Sequence, residues 1–248
     1  MGRLIVIKFG GTSLASAGRV RRAARRVRAH VRVGVRVIAG VSAVGGTTDR
    51  ILTQLQTVGA CDHNREYDRA LATGEDLSAA LLAVALETVG VRARSLRGGE
   101  AGIVAQGEFG AGTLEALDTT SIRHLLAQDI VPVVAGFQAA RPDGETVTIG
   151  RNGSDATAVF LAGVLCADAC HIVTDVGAIC DSDPRTNPEA RALPQLSHGA
   201  LRELTDAGSD VVQREAAVLA ERFGTQLHVY HFRAPFHHPR GTVVAAAS

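Results

Sequence analysis

The sequence predicts an α/β protein, a three-layer sandwich in which a mostly parallel central sheet is covered by helices on both faces. Three observations carry this reading. Short apolar runs at Leu4 to Ile7, Val35 to Val41 and Ile130 to Phe137 have the length and unbroken hydrophobicity of strands buried on both sides. Stretches with apolar residues every three or four positions lie between such runs, as amphipathic helices require. Polar, glycine-containing segments stand where strands give way to helices, which is where an open parallel sheet binds ligands. With 248 residues and no long linker, internal repeat or low-complexity tract, residues 1–248 read as one domain.

Taken in order, the Leu4 to Ile7 strand runs into a Gly-Gly turn and a helix beginning near Ala15. Val20, Ala23 or Ala24, Val27 and Val31 form its apolar stripe. Arg19, Arg21, Arg22, Arg25, Arg26, Arg28 and Arg32 occupy the other faces and are expected to form a solvated surface. After the Val35 to Val41 strand, Ser42 to Asp49 leads into a helix starting near Arg50. Gly74 to Ser78 is expected to open an Ala/Leu-rich helix that runs to Leu86. The Ile130 to Phe137 strand and a short Val147 to Ile149 strand precede Gly150 to Asp155, which opens a helix through Leu165. His171 to Asp175 follows as a strand with a polar end. Helices over His198 to Ala207 and Val211 to Phe223 come next, and strands at Gln226 to His231 and Gly241 to Val244 close the chain.

Composition narrows the function. The chain is 46% hydrophobic, too apolar for disorder, and carries 26 basic against 25 acidic residues for a net charge of +1. That balance, with no aromatics interleaved among the helix arginines, argues against nucleic acid as a partner. No apolar run reaches the roughly 18 residues a membrane span needs, and the N-terminus reads as a strand rather than a signal peptide, so a cytoplasmic protein is expected. The four cysteines form no C-x-x-C pair. Cys166, Cys170, His171 and Cys180, or His228, His231, His237 and His238, are therefore expected to hold no metal, and the histidines read as polar edge residues.

One residue stands apart. Lys8 is the only lysine among the 26 basic residues, and it ends the first strand directly before Phe9, Gly10, Gly11, Thr12 and Ser13. A compact ammonium on a thin stem fits a crowded phosphate site that would reject the broad guanidinium of arginine. The turns Lys8 to Ser13, Ser42 to Asp49, Gly150 to Asp155 and Thr174 to Arg185 would all lie at the carboxyl ends of strands. Glycines there allow backbone N–H groups to approach an anion, and helix N-termini favour negative charge. The Walker pattern and G-x-G-x-x-G are both absent. Taken alone, Glu75 reads as an ordinary acid at a helix start and Asp155 as a cap.

The motifs K-F-G-G-T-S at Lys8 to Ser13, V-S-A-V-G-G-T-T-D at Val41 to Asp49 and A-T-G-E-D-L-S at Ala72 to Ser78 resemble the aspartate kinase branch of the amino-acid-kinase superfamily. So do V-A-G-F-Q at Val134 to Gln138, T-I-G-R-N-G-S-D at Thr148 to Asp155, and the T-D-V and S-D-P-R runs between Thr174 and Arg185. The resemblance covers nearly the whole chain. It implies the amino-acid-kinase fold, MgATP as phosphoryl donor, and transfer onto the side-chain carboxylate of aspartate. Lys8 and Asp155 would then be catalytic: Lys8 on the transferring phosphoryl group and Asp155 organising the phosphate-binding groups. Thr48, Glu75, Arg151, Asn152, Gly153 and Ser154 would bind the acceptor, with Arg151 on a carboxylate and Glu75 on the α-ammonium. Gly10, Gly11, Ser13, Thr174, Asp175, Cys180, Asp181, Asp183, Pro184 and Arg185 would bind ATP. The acceptor would lie in the N-terminal half and the nucleotide on residues 146–248.

By the same resemblance a homodimer is expected. Because the family's paired regulatory modules do not follow Gly241 to Val244, so is a catalytic domain without lysine or threonine feedback. The chain departs from the family mainly on the nucleotide side. Asp210 stands where a phosphate-contacting lysine is usual, Cys180 and Asp181 replace an aromatic and a threonine, and Ala105 and Gln106 replace a polar pair. Asn152 replaces a glycine. Arg214 would compensate Asp210. A specialised paralogue acting on another small acid, or a non-catalytic partner subunit, therefore stands beside the aspartate kinase reading.

Overall fold

The structure, a computed structural model, describes residues 2–59, 63–150, 153–183, 186–187, 189–237 and 239–246. Its centre is a sheet of eight strands. These are β1 (Leu4–Phe9), β2 (Arg36–Val41), β3 (Ala93–Leu96), β6 (Val131–Ala135), β9 (Ala169–Thr174), β10 (Gln195–Ser197), β11 (Leu227–His231) and β12 (Thr242–Ala245), in spatial order β10-β12-β11-β9-β1-β2-β6-β3. Every neighbouring pair is parallel except β11 with β12. The predicted mostly parallel sheet is therefore present, and β1 and β6 are buried along their whole length, as their apolar runs require. A second sheet of four short strands, β5 (Thr113–Leu117), β4 (Ile103–Gln106), β7 (Gln138–Ala140) and β8 (Thr146–Thr148), packs beside it.

Alternation along β1 divides the core. Ile5, Ile7 and Phe9 face one cluster with α1 (Ala17–Val31) and α3 (Arg65–Glu87). Leu4 and Val6 face the other, with α4 (Thr120–Ala127), α5 (Ser154–Val164), α6 (His198–Asp206), α7 (Arg214–Phe223) and the small sheet. Lys8 shares the parity of Leu4 and Val6 and so projects toward α5. Because β9, β1, β2 and β6 run parallel, their carboxyl ends deliver successive turns to one edge. Among the described residues, no helix is long and apolar enough to cross a membrane.

Two expectations need correction. The α1 arginines do not all face solvent. Arg26 is only 1% exposed, and Arg22 and Arg26 donate to the carbonyls of Phe232, Ala234 and neighbours, with cation–π contacts from Arg26 to Tyr230 and Phe236. They clamp the segment that follows β11, while Arg21, Arg25 and Arg32 are exposed as expected. Nor does His228 lie on a polar edge: its ring stacks on His171 at 4.8 Å, with His30 of α1 edge-on to His171. Burial lowers the pKa of all three, His30 to about 4, so they pack as neutral rings. Among the described residues no group of three His, Cys, Asp or Glu side chains is placed to hold a metal ion.

Candidate active site

The turns gather around a cleft of about 790 Å³, lined by Lys8, Gly10, Gly11, Thr48, Glu75, Ser154 and Asp155 among others. The Lys8 ammonium lies 2.6 Å from Asp155 Oδ1, and both side chains are nearly buried. The contact is an ion pair rather than an aligned hydrogen bond, because Asp155 Oδ1 has no partner in hydrogen-bond geometry. Asp155 sits in the first turn of α5 rather than at its N-cap, which is Gly153. The sheet thus supplies the cation, and the crossing helix supplies the anion.

Glu75 enters from α3, and here the sequence reading misplaces the helix. The helix starts at Arg65, capped by Asn64 Oδ1, so Gly74 and Glu75 lie in its middle rather than at its start. Gly74 is a point of close approach, not a boundary: a Cβ there would stand 2.9 Å from the Ala43 Cβ. A Cβ on Gly11 would stand 2.4 Å from the Ala43 carbonyl oxygen. These two glycines let α3 and the first turn close on Ala43, whose amide donates to Glu75 Oε1 at 2.9 Å. Glu75 Oε2 is buried without a partner. Burial pushes the Glu75 carboxyl up to about 7, against the pull of the Ala43 amide and Lys8.

A second cleft of about 710 Å³ adjoins the first, sharing Thr174, Asp210 and Val211. It is lined by Thr174, Asp175, Cys180, Asp181, Asp183 and Asp210, bringing the predicted nucleotide-edge residues together. Asp181 is tied down by the Arg191 amide at 2.9 Å, which holds its carboxyl below the usual range. Arg151, Asn152, Pro184 and Arg185 lie outside the described residues.

Not every candidate meets the clefts as expected. Ser13 is buried and spends its hydroxyl on the Val173 carbonyl at 3.2 Å, and the Gly10 amide donates to that same carbonyl at 3.0 Å. Neither donor points into the cleft, since both tie the turn to β9. Gly153 forms the entry to α5 and accepts from the Thr157 amide and hydroxyl. Arg214 does not answer Asp210: its Nε binds Asp206 Oδ1 at 2.6 Å, away from either cleft lining. Conversely, His63, Tyr67, Leu71, Gly110, Phe137 and Thr148 line the first cleft without any sequence signal beyond the motifs holding Phe137 and Thr148. Phe137 adopts φ +67°, a strained value for an aromatic residue, and its amide is held by Thr157 Oγ1 at 3.1 Å.

Comparison with known proteins agrees with this geometry. The model of the amino acid kinase family matches residues 3–231. The chain is 40% identical to an aspartokinase of Helicobacter pylori over 98% of its own length, and 39% identical to that of Geobacillus stearothermophilus over 97%. It spans 59% and 58% of those relatives' lengths. The crystal structure of an aspartate kinase from Synechocystis superposes with a TM-score of 0.86 at 35% identity, covering 98% of this chain and 40% of that one. A UMP kinase from Bacillus anthracis shares the fold with a TM-score of 0.74 at 17% identity, covering 99% and 97%. The chain belongs to the amino acid kinase family.

Proposed function

We propose that the chain transfers the γ-phosphoryl group of ATP to the side-chain carboxylate of L-aspartate, giving 4-phospho-L-aspartate and ADP. The observation that carries this reading is the Lys8–Asp155 ion pair, set in the first cleft, which meets the second at Thr174, Asp210 and Val211. Relatives named aspartokinase at up to 40% identity support it. In the reaction an aspartate carboxylate oxygen attacks the γ-phosphorus, and the bond to the β,γ-bridging oxygen breaks with its electrons leaving on ADP. A carboxylate is already a nucleophile, so the protein's work is positioning and charge neutralisation.

Lys8 sits on the transferring group, and Asp155 holds its ammonium in place. Glu75 takes the substrate ammonium on its unpartnered Oε2, which matches a buried acceptor waiting for a donor. Thr48 and Ser154 bind the acceptor through hydroxyls, Gly153 shapes the turn that presents Ser154, and Arg151 and Asn152 complete that subsite. Gly10, Gly11 and Ser13 shape the phosphate turn. Thr174, Asp175, Cys180, Asp181, Asp183, Pro184 and Arg185 border the nucleotide, so the N-terminal half serves the acceptor and residues 146–248 serve the nucleotide within one domain.

With no three-ligand cluster among the described residues, a magnesium ion fits here as one carried by the triphosphate, with Asp155 as the carboxylate facing it. When bound it neutralises phosphate charge. The described cysteines are free thiols, which suits a cytoplasmic protein. A second copy of the chain is the proposed partner, because Leu77, Leu81 and Val84 form an exposed apolar stripe on α3. Light scattering of the purified protein should give the mass of a dimer, and of a monomer after Leu81→Arg.

The reaction is tested by trapping acyl phosphate with hydroxylamine in the presence of MgATP and L-aspartate. Hydroxamate that disappears in Lys8→Ala supports it. Product from another small carboxylate but not from aspartate makes the chain a different carboxylate kinase, and no product from any acceptor overturns the kinase reading.

A further inference from the structure

Asp68 lies in the first turn of α3 with no exposed surface, among backbone rather than cations. Its Oδ2 accepts from two amides remote in sequence, Gly110 at 2.8 Å and Thr148 at 2.7 Å. Its Oδ1 is buried and has no hydrogen-bond partner. A buried carboxylate is costly unless it fixes something, and this one fixes two walls of the first cleft, since Gly110 and Thr148 both line it while Asp68 does not.

The surrounding contacts converge on the same two walls. The Gly112 amide donates to the Thr148 carbonyl at 2.9 Å, so the Thr148 backbone is held on both sides. Arg65, one turn earlier in α3, pairs with Glu145 at 2.7 Å and anchors the approach to β8. Gly110 has φ +80°, and a Cβ there would stand 2.3 Å from the His63 ring, so imidazole and loop backbone lie in contact. That ring meets Tyr67 edge-on at 4.5 Å, and His63 and Tyr67 also line the cleft. Glu75 stands seven residues beyond Asp68, two turns along the same face of α3.

We propose that Asp68 is a positioning residue for the acceptor: by binding the Gly110 and Thr148 amides together it fixes the wall of the acceptor pocket opposite Lys8 and the root of the segment leading to Ser154. This rests on the proposed reaction for the word acceptor, but the clamp itself does not. Asp68 touches no substrate. It sets the distance between the α3 face carrying Glu75 and the β8 segment, leaving the second cleft, which shares no residue with this clamp, unaffected.

The test pairs Asp68→Ala with Asp68→Asn in the full chain and reads kinetics beside amide hydrogen exchange. In Asp68→Ala, KM for aspartate should rise about tenfold or more while KM for ATP stays within about twofold, because only the acceptor wall loosens. Exchange at Gly110 and Thr148 should accelerate in the alanine variant. It should accelerate less in the asparagine variant, whose carbonyl can still accept both amides. If the alanine variant does not fold, the asparagine variant is read for the same split. Equal increases in both KM values, or unchanged exchange at these two amides, would overturn the proposal. If the wild-type protein turns over no aspartate, the proposed reaction falls but the exchange comparison still decides whether Asp68 holds the two walls.

Discussion

The two clefts that share Thr174 and Asp210 are built on opposite electrostatic plans. In the first, Lys8 meets Asp155 and Glu75 Oε1 takes the Ala43 amide, while Asp68, outside the lining, ties two of its walls together through their amides. In the second, Asp175, Asp181, Asp183 and Asp210 border the same space, and the described lining includes neither Lys nor Arg. The first cleft is organised before any ligand arrives. The second presents these carboxylates toward the side assigned to a triphosphate, so its affinity should depend on the sign of charge along that lining. Mutations on the two sides should therefore separate in which substrate they affect.

The largest effect should come at the reacting group. Lys8→Ala removes the ammonium from the reacting group and leaves Asp155 buried without its cation. Turnover with aspartate should fall by about 10²–10³-fold, as when a single preorganised charge donor is lost at a transition state. An effect confined to KM for one substrate would assign Lys8 to binding that substrate rather than to the transferring group.

On the acceptor side, Glu75→Gln should raise KM for aspartate by about tenfold and leave KM for ATP nearly unchanged. The same residue gives a pH signature. Its carboxyl is raised from about 4.5 to about 7 in the folded protein, so the folded state holds the proton more tightly than the unfolded chain. Stability from this group is complete below about pH 4.5 and declines as pH rises through about 7, by at most about 3 kcal/mol. Aspartate binding should follow the reverse course, strengthening as Glu75 ionises, because the substrate ammonium needs the anion. Thermal melts and aspartate affinity measured from pH 5 to pH 8 should therefore move in opposite directions, with Tm and KM for aspartate both falling as pH rises, and both slopes should flatten in Glu75→Gln.

On the nucleotide side, Asp210→Lys reverses a charge that borders both clefts. KM for ATP should fall about three- to tenfold and KM for aspartate much less, with the difference shrinking at high salt. A change in aspartate KM instead would show that Asp210 acts on the first cleft.

The division between the clefts was only partly legible in the chain. The central sheet was, because parallel strands buried on both faces read as unbroken apolar runs, and the boundaries at β2, β11 and β12 fall within about one residue of expectation and those of β6 within about two. Lys8 was legible because a single lysine among so many arginines marks a place where shape matters. Gly74 misled, since a glycine in mid-helix reads as a break until its partner across the interface, Ala43, is known. Asp68 and Gly110 gave no signal at all. Their bond joins segments 42 residues apart, and nothing local in either segment records it. Of the small sheet only β8 was read, as Val147 to Ile149, because strands of three to five residues carry too few alternations to register.

The smallest effect sharpens the comparison most. Arg214 stands one turn after Asp210, at the start of α7, and by sequence is the cation expected to compensate it. The structure spends that guanidinium on Asp206, in an exposed pair outside both cleft linings. Exposed pairs of this kind contribute little to stability. Arg214→Ala should therefore leave KM for ATP within about twofold and shift Tm by no more than about 2 °C. The double variant with Asp210→Lys should then behave as Asp210→Lys alone, since residues that share no partner act independently. A marked rise in KM for ATP in Arg214→Ala would mean that the side chain leaves Asp206 for the nucleotide. The second cleft would then assemble its charge on binding, whereas the first holds its charge in place beforehand.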